Sequence, residues 1–365
     1  MRKNGLLTDL FYAYYDARKN KRNTINQLRF EMDLEHHLYD LYMQIQERKY
    51  EPKQSLAFIV NKPVQREVFA SDFSDRVVHH LFYNYVQPIF ERTYIEDPYS
   101  CRIGRGTHYG VKRLNYHIRS CSNNYTRSCF ILKLDLQGYF MSIDRTILYK
   151  KVIYTLNKYA DRYDYNGVRW KDKLDYDLIM YLAHIIVFHD PTKKYYIRGK
   201  KSDWIGLPPN KSLFYSPQGC GLPIGNLTSQ LFSNVYMSDF DHFVKRELKF
   251  KHYGRYVDDF YLVDRDKNKL KRVITTIDQY LENELKIKLH PKKIYLQKYE
   301  NGVLYTGGYI KPYRVYISNR TKENMSKRLD TLKNTEPIDL EALRSTLNSY
   351  LGLMKHYKSF YIRKE

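Results

Sequence analysis

Residues 253–263 constrain the fold of this chain more than any other stretch. Two β-forming runs, ending in Tyr256-Val257 and resuming at Phe260-Tyr261-Leu262-Val263, are joined through Asp258 and Asp259. Aromatic and β-branched residues favour strands, and two adjacent carboxylates between strands belong at a hairpin turn. There they project at the sheet edge, and their mutual repulsion has to be offset by a cation. A lone Asp-Asp pair also suits a solvated turn, but these apolar flanks anchor the turn to a buried strand pair. A third carboxylate, Asp135, closes the run Cys129-Phe130-Ile131-Leu132-Lys133-Leu134, which reads as a buried strand and can lie beside that turn. Three such groups are what two Mg²⁺ ions need for in-line phosphoryl transfer. One ion lowers the pKa of an attacking 3′-hydroxyl and the other neutralises the leaving pyrophosphate.

The charge points the same way. A formal net charge of +22 over 365 residues implies a polyanionic partner, and 38 tyrosines among the lysines and arginines offer stacking faces for bases. An AT-rich gene would also raise Lys and Tyr, and a basic surface alone does not separate nucleic acid from an anionic membrane. No run is apolar enough to span a bilayer, and the N-terminus lacks a signal-peptide core, so a cytoplasmic protein with no membrane partner is expected. The four cysteines (Cys101, Cys121, Cys129, Cys220) form no Cys-x-x-Cys pair, which indicates neither a zinc site nor a disulfide framework.

Along the chain, Leu34, Leu38, Leu41 and Ile45 recur at helical spacing. Residues 55–70 read as strands joined by a turn at Asn61-Lys62-Pro63, and Val77 to Phe90 as a helix. A Tyr- and Lys-rich segment from about 155 to 215 breaks the pattern, with Pro191, Pro208 and Pro209 marking loops. A helix is expected after Gly225, and an amphipathic one through Leu340, Leu343, Leu347, Leu351 and Met354. Irregular alternation of strands and helices favours an α+β fold over a doubly wound sheet.

Tyr256-Val257-Asp258-Asp259 resembles the Tyr-x-Asp-Asp box of reverse transcriptases, and Leu134-Asp135-Leu136-Gln137-Gly138-Tyr139-Phe140 resembles their first palm motif. The resemblance implies a right-hand polymerase: fingers over 1–125, a palm over 126–315 with an inserted segment at about 155–215, and a helical thumb over 316–365. An antiparallel palm sheet would carry the Tyr-Val-Asp-Asp hairpin. Asp135, Asp258, Asp259 and the Leu136 carbonyl would bind two Mg²⁺ ions, with Mn²⁺ as a substitute. Phe140 falls at the aromatic gate that excludes a ribose 2′-hydroxyl. Lys62-Pro63-Val64-Gln65-Arg66-Glu67 is similar to the fingers motif that grips the incoming triphosphate, which assigns Arg66 with Lys62 as helper. Asp75 to His80 and Tyr99 to His108 match further fingers motifs; His79 and His80 read as packing or RNA-contact residues, not metal ligands. Lys293 resembles the palm lysine that neutralises pyrophosphate. Tyr305-Thr306-Gly307-Gly308-Tyr309 resembles the primer grip, with Thr306 where Leu is usual.

Ile224-Gly225 followed by Ser229-Gln230 replaces the common Gln-Gly…Ser-Pro pattern and resembles reverse transcriptases of diversity-generating retroelements. In the common form the Gln braces the nascent base pair; Ile224 offers only apolar contact, which lowers discrimination. With Gln230 it would shape the base-pair pocket. The resemblance implies copying of a template-repeat RNA into cDNA, with misincorporation opposite adenines, from a nucleic-acid primer and dNTPs. It also implies a small basic ring-forming accessory variability protein and a target DNA. Alternatives are an antiphage-defence or retron enzyme, a catalytically silent RNA-binding scaffold, or another two-metal phosphotransferase. The last would need neither Phe140 nor Arg66.

Overall fold

The computed structural model describes residues 5–19, 23–61, 64–335 and 339–359. Its strands, in chain order, are β1 (Ser55–Val60), β2 (Arg66–Ala70), β3 (Phe130–Asp135), β4 (Tyr195–Ile197) and β5 (His252–Tyr256). They continue with β6 (Asp259–Asp264), β7 (Tyr295–Lys298), β8 (Val303–Tyr305), β9 (Gly308–Lys311) and β10 (Arg314–Ile317). Helices intersperse with them irregularly, giving the mixed α+β composition expected. The chain divides into two compact units that alternate along the sequence. One comprises Met1–Ile95, Leu136–Asp241 and Gln279–Lys288; the other Glu96–Asp135, His242–Asp278 and Leu289–Glu365.

In the first unit β1 pairs antiparallel with β2, and β4 adds to β1 in parallel. The helix Phe73–Glu91 starts where Asp72 caps it, accepting a bond from the Ser74 N–H. It buries Val77, Val78, Leu81, Phe82, Val86, Ile89 and Phe90. Asp144, four residues beyond Phe140, is likewise a cap: its carboxylate accepts from the N–H groups of Thr146 and Ile147 and starts the helix Arg145–Ala160. The segment from 155 to 215 is more regular than its composition suggests. Tyr176–Phe188 is a helix whose Leu178, Ile179, Leu182, Ala183, Ile186 and Val187 are buried, so Pro191 closes an element here. Three residues of β4 then lie against β1.

In the second unit the sheet order is β5-β6-β3-β7, antiparallel throughout. Alternation along β3 and β6 puts Leu132, Leu134, Phe260 and Leu262 on one face, all buried. On the other side Ile131, Tyr261 and Val263 join a core with Val111, Leu114 and Ile118 of the helix Thr107–Cys121. Strands β8 to β10 form a second antiparallel sheet that contributes Val303, Tyr305 and Ile310 to that core. The expected C-terminal helix is present as Leu340–Met354, but its apolar face is mostly uncovered: Leu340 is 72% exposed and only Met354 is buried. Among the described residues, no helix is long and apolar enough to cross a membrane.

His79 is buried, and a ring nitrogen lies 2.5 Å from Thr228 Oγ1. Burial, reinforced by His189, Arg76 and His80, lowers its pKa from 6.5 to about 3. The unfolded chain therefore binds one more proton once the pH drops below 6.5. The stability this site contributes is complete above that pH and is lost progressively towards pH 3. Thermal melts of the natural chain and of His79→Gln should show a shallower loss of Tm between pH 6.5 and 4 in the variant.

Candidate active site

The second unit places Asp135, the last residue of β3, directly opposite Asp259, the first residue of β6. Opposed residues on neighbouring antiparallel strands have Cβ atoms about 5 Å apart, and like charges there are destabilising. Two lysines offset the repulsion. Lys293 Nζ donates to both Asp135 oxygens, at 3.0 and 2.9 Å. Lys133 Nζ lies 3.4 Å from Asp259 Oδ2, donates to the Leu304 carbonyl at 3.0 Å and sits 5.6 Å from the centre of the Tyr305 ring. Even so, the Asp259 carboxyl is pushed up to about 6, mainly by burial. Lys133 opposes the shift, while Asp135 and Asp258 add to it.

Asp258 is half-buried in the two-residue connection between β5 and β6, where Tyr256 pairs with Asp259. The other connecting residue, Val257, has φ of 57°. A β-branched side chain in the left-handed region is strained, at a cost on the order of 1–3 kcal/mol. Side chains hold it there. The Val257 N–H donates to Ser100 Oγ at 3.0 Å, and its carbonyl accepts from Arg255 Nη1 at 2.9 Å. Arg255 is wholly buried and fixed through its own backbone, its N–H donating to the Asp97 carbonyl and its carbonyl accepting from the Tyr99 N–H. Gly254 beside it has no room for a Cβ, which would collide with the hydroxyls of Tyr99 and Tyr261.

Tyr305 is buried beneath the carboxylates. Its ring meets Tyr261 edge-on at 5.1 Å, and its hydroxyl donates to the Asp259 carbonyl at 3.3 Å. Thr306 and Gly307, at φ of 43° and 92°, make the turn from β8 to β9, and the Thr306 hydroxyl donates to the Thr107 carbonyl. The residue that departs from the expected Leu is therefore a turn residue with its own anchor. Gly308 pairs with Tyr305, and a Cβ there would come within 2.8 Å of Val111.

The remaining expected residues lie in the first unit. Phe140 and Ile224 pack on one cluster of Ala57, Phe69, Met141 and Leu213. Backbone bonds fix both: the Leu222 N–H donates to the Phe140 carbonyl, and the Phe69 N–H to that of Ile224. Gly225 has φ of 124°, and a Cβ would approach Val68 Cγ1 to 2.9 Å, so no other residue fits. Gln230 is exposed on the helix Leu227–His242, Arg66 is exposed at the start of β2, and Leu136 is buried. Lys62 lies outside the described residues.

Asp135, Asp258 and Asp259 are hard oxygen donors of the kind Mg²⁺ or Mn²⁺ accepts, and their mutual repulsion invites a divalent cation. Among the described residues, no three or more His, Cys, Asp or Glu side chains are gathered into a ready metal cage; lysines hold two of the carboxylates. Lys133, Ser100 and Arg255 were given no role from sequence. Only Lys133 left a signal, as a charge two residues before Asp135 in an apolar strand and hence on the same face.

The mixed α+β fold is similar to that of solved telomerase structures. A telomerase structure from Candida tropicalis superposes with a TM-score of 0.51 at 13% identity, over 86% of this chain and 59% of the other. A telomerase from Candida albicans, solved with a fragment of telomeric RNA, gives 0.49 at 13% identity, over 87% and 60%. This chain thus spans about three-fifths of the telomerase chains it matches. Residues 176–310 match the family described as reverse transcriptase (RNA-dependent DNA polymerase). It begins at Tyr176, so about the last two-thirds of the 155–215 segment falls within it. No curated protein sequence matches.

If Ser100 and Arg255 hold the strained turn, removing them should show in stability. Ser100→Ala should cost about 1 kcal/mol and Arg255→Met about 3 kcal/mol, since the latter removes a wholly buried guanidinium and leaves the half-buried Val257 carbonyl without it. Urea denaturation checks both values.

Proposed function

We propose that this chain is the polymerase of a diversity-generating retroelement, copying a template-repeat RNA into cDNA with low fidelity opposite adenines. The observation that carries the polymerase reading is the opposed pair Asp135 and Asp259 with Asp258 in the adjoining turn, flanked by Lys133 and Lys293. These three aspartates and the Leu136 carbonyl would hold Mg²⁺, or Mn²⁺ in its place, which would supply activation of the primer 3′-hydroxyl and neutralisation of pyrophosphate. Lys293 would add its charge on the leaving-group side. Arg66, with Lys62, would bind the triphosphate through charge-assisted bonds. Phe140 would fill the space of a 2′-hydroxyl, and Tyr305, Gly307 and Gly308 would support the primer end. Phosphoryl transfer of this kind rests on positioning and charge neutralisation.

The finer reading rests on Ile224. It shares a packing cluster with Phe140, and an apolar side chain at that place gives a mispair no hydrogen-bond penalty. Fingers, palm and thumb would follow the division given above, with the exposed apolar face of Leu340–Met354 belonging to the thumb. A structured template RNA, a small basic ring-forming accessory protein and the target DNA would be the partners.

Primer extension on an RNA template with deoxynucleotides and Mg²⁺, followed by cDNA sequencing, tests both levels. Extension should vanish in Asp258→Ala/Asp259→Ala. Errors should concentrate at template adenines, and Ile224→Gln should reduce them about tenfold. Phe140→Ala should raise ribonucleotide incorporation at least tenfold. Faithful extension would move the chain to the defence or retron enzymes; no extension with the native RNA and accessory protein supplied would favour the silent scaffold.

A further inference from the structure

A cavity of about 300 Å³ lies in the first unit, lined by Tyr195, Lys201, Trp204, Ser212, Phe214 and Tyr215 among others. None of these residues takes part in the chemistry above. The rings are mutually packed: Phe214 meets Tyr195 at 5.1 Å and Trp204 at 6.4 Å, both steeply inclined. The wall is also pinned from behind. Glu67, buried on β2, accepts from Trp204 Nε1 at 2.8 Å, Ser212 Oγ at 2.7 Å and the Leu213 N–H at 2.5 Å. Gln65 Nε2 donates to the carbonyls of Asp203 and Ile205, tying the same loop to the edge of β2. A buried carboxylate with three donors fixes the walls before any ligand arrives, which reduces the ordering cost of binding.

The surrounding chain indicates what would enter. Residues 193–211 carry six cations (Lys193, Lys194, Arg198, Lys200, Lys201, Lys211) against one carboxylate, Asp203. All six are exposed, as are Tyr196 and Tyr215. Asp203 is engaged by the Lys200 N–H at 2.8 Å, leaving the rim positive. Aromatic rings within a positive rim form a stacking platform for single-stranded nucleic acid, in which bases meet rings and phosphates meet lysines. We propose that this cavity binds an unpaired base of a single-stranded RNA, with its phosphates on Lys201 and the neighbouring cations. The cavity shares no residue with the three aspartates, and the inference goes beyond the polymerase reading: it assigns the 155–215 segment an RNA-binding role that does not need catalysis.

Fluorescence tests this directly, because Trp204 is one of two tryptophans and the other, Trp170, is buried. In a Trp170→Phe chain, a short oligouridylate should quench Trp204, and Tyr215→Ala and Lys201→Ala should each weaken its binding about tenfold. Both substituted side chains are exposed, so the fold is retained. An abasic oligomer of the same length should bind at least tenfold more weakly and leave Trp204 unquenched. Asp258→Ala/Asp259→Ala should bind like the natural chain, so failure of the polymerase reading leaves this result standing. Equal binding of abasic and base-bearing oligomers, or unchanged affinity in both variants, would overturn the proposal.

Discussion

Two carboxylates opposite each other on neighbouring strands repel, yet Asp135 and Asp259 occupy such positions in a sheet whose other face buries Leu132, Leu134, Phe260 and Leu262. The register cannot slip to relieve them. A one-residue shift of β6 would exchange its two faces, taking Phe260 and Leu262 from their buried positions and putting Asp259 in their place, which costs more than one repulsive pair. The sheet therefore holds the charges together, and neighbouring residues respond to that constraint. Lys133, two positions along β3, shares a face with Asp135 because strand side chains alternate; Lys293 approaches Asp135 from the segment before β7. The raised pKa of Asp259 comes mainly from its burial, to which Asp135 and Asp258 add and which Lys133 only partly offsets.

The turn beside the pair shows the same division of labour. Val257 would not choose a left-handed backbone, but Ser100 takes its N–H and Arg255 its carbonyl, so leaving that conformation would break both bonds. Those groups are themselves fixed by the bridge between Pro98 and Arg255 and by the space left at Gly254. Strain of about 1–3 kcal/mol is thereby held beside the carboxylates, which is where strained backbone accumulates in functional sites.

Much of this was legible in sequence, for identifiable reasons. The strands around Asp135 and Asp259 declare themselves because apolar alternation and β-branching run uninterrupted up to the carboxylates. The helices Leu34–Gln46 and Phe73–Glu91 follow from 3.6-residue spacing. The helix Tyr176–Phe188 escaped notice because it is apolar on nearly every side, so periodicity is faint, and the prolines after it suggested loop. Ser100 stands in a recognisable motif and Arg255 just before one, but their grip on Val257 spans 157 and two residues and depends on a fold the linear chain does not display. Thr306 seemed a flaw in a motif and is a turn residue with a tethered hydroxyl. The cavity beside Trp204 depends on Glu67, more than 130 residues earlier, and no local pattern announces it.

The central claim is that Asp135, Asp258 and Asp259 form a phosphoryl-transfer centre. Its most direct test is the single-turnover rate of adding one deoxynucleotide to a primer on an RNA template, in the natural chain and in Asp135→Asn. The account predicts a loss of at least about a thousandfold, with template affinity unchanged, because the substitution keeps the shape and removes the charge that stabilises transfer. A rate within tenfold of the natural chain would contradict it.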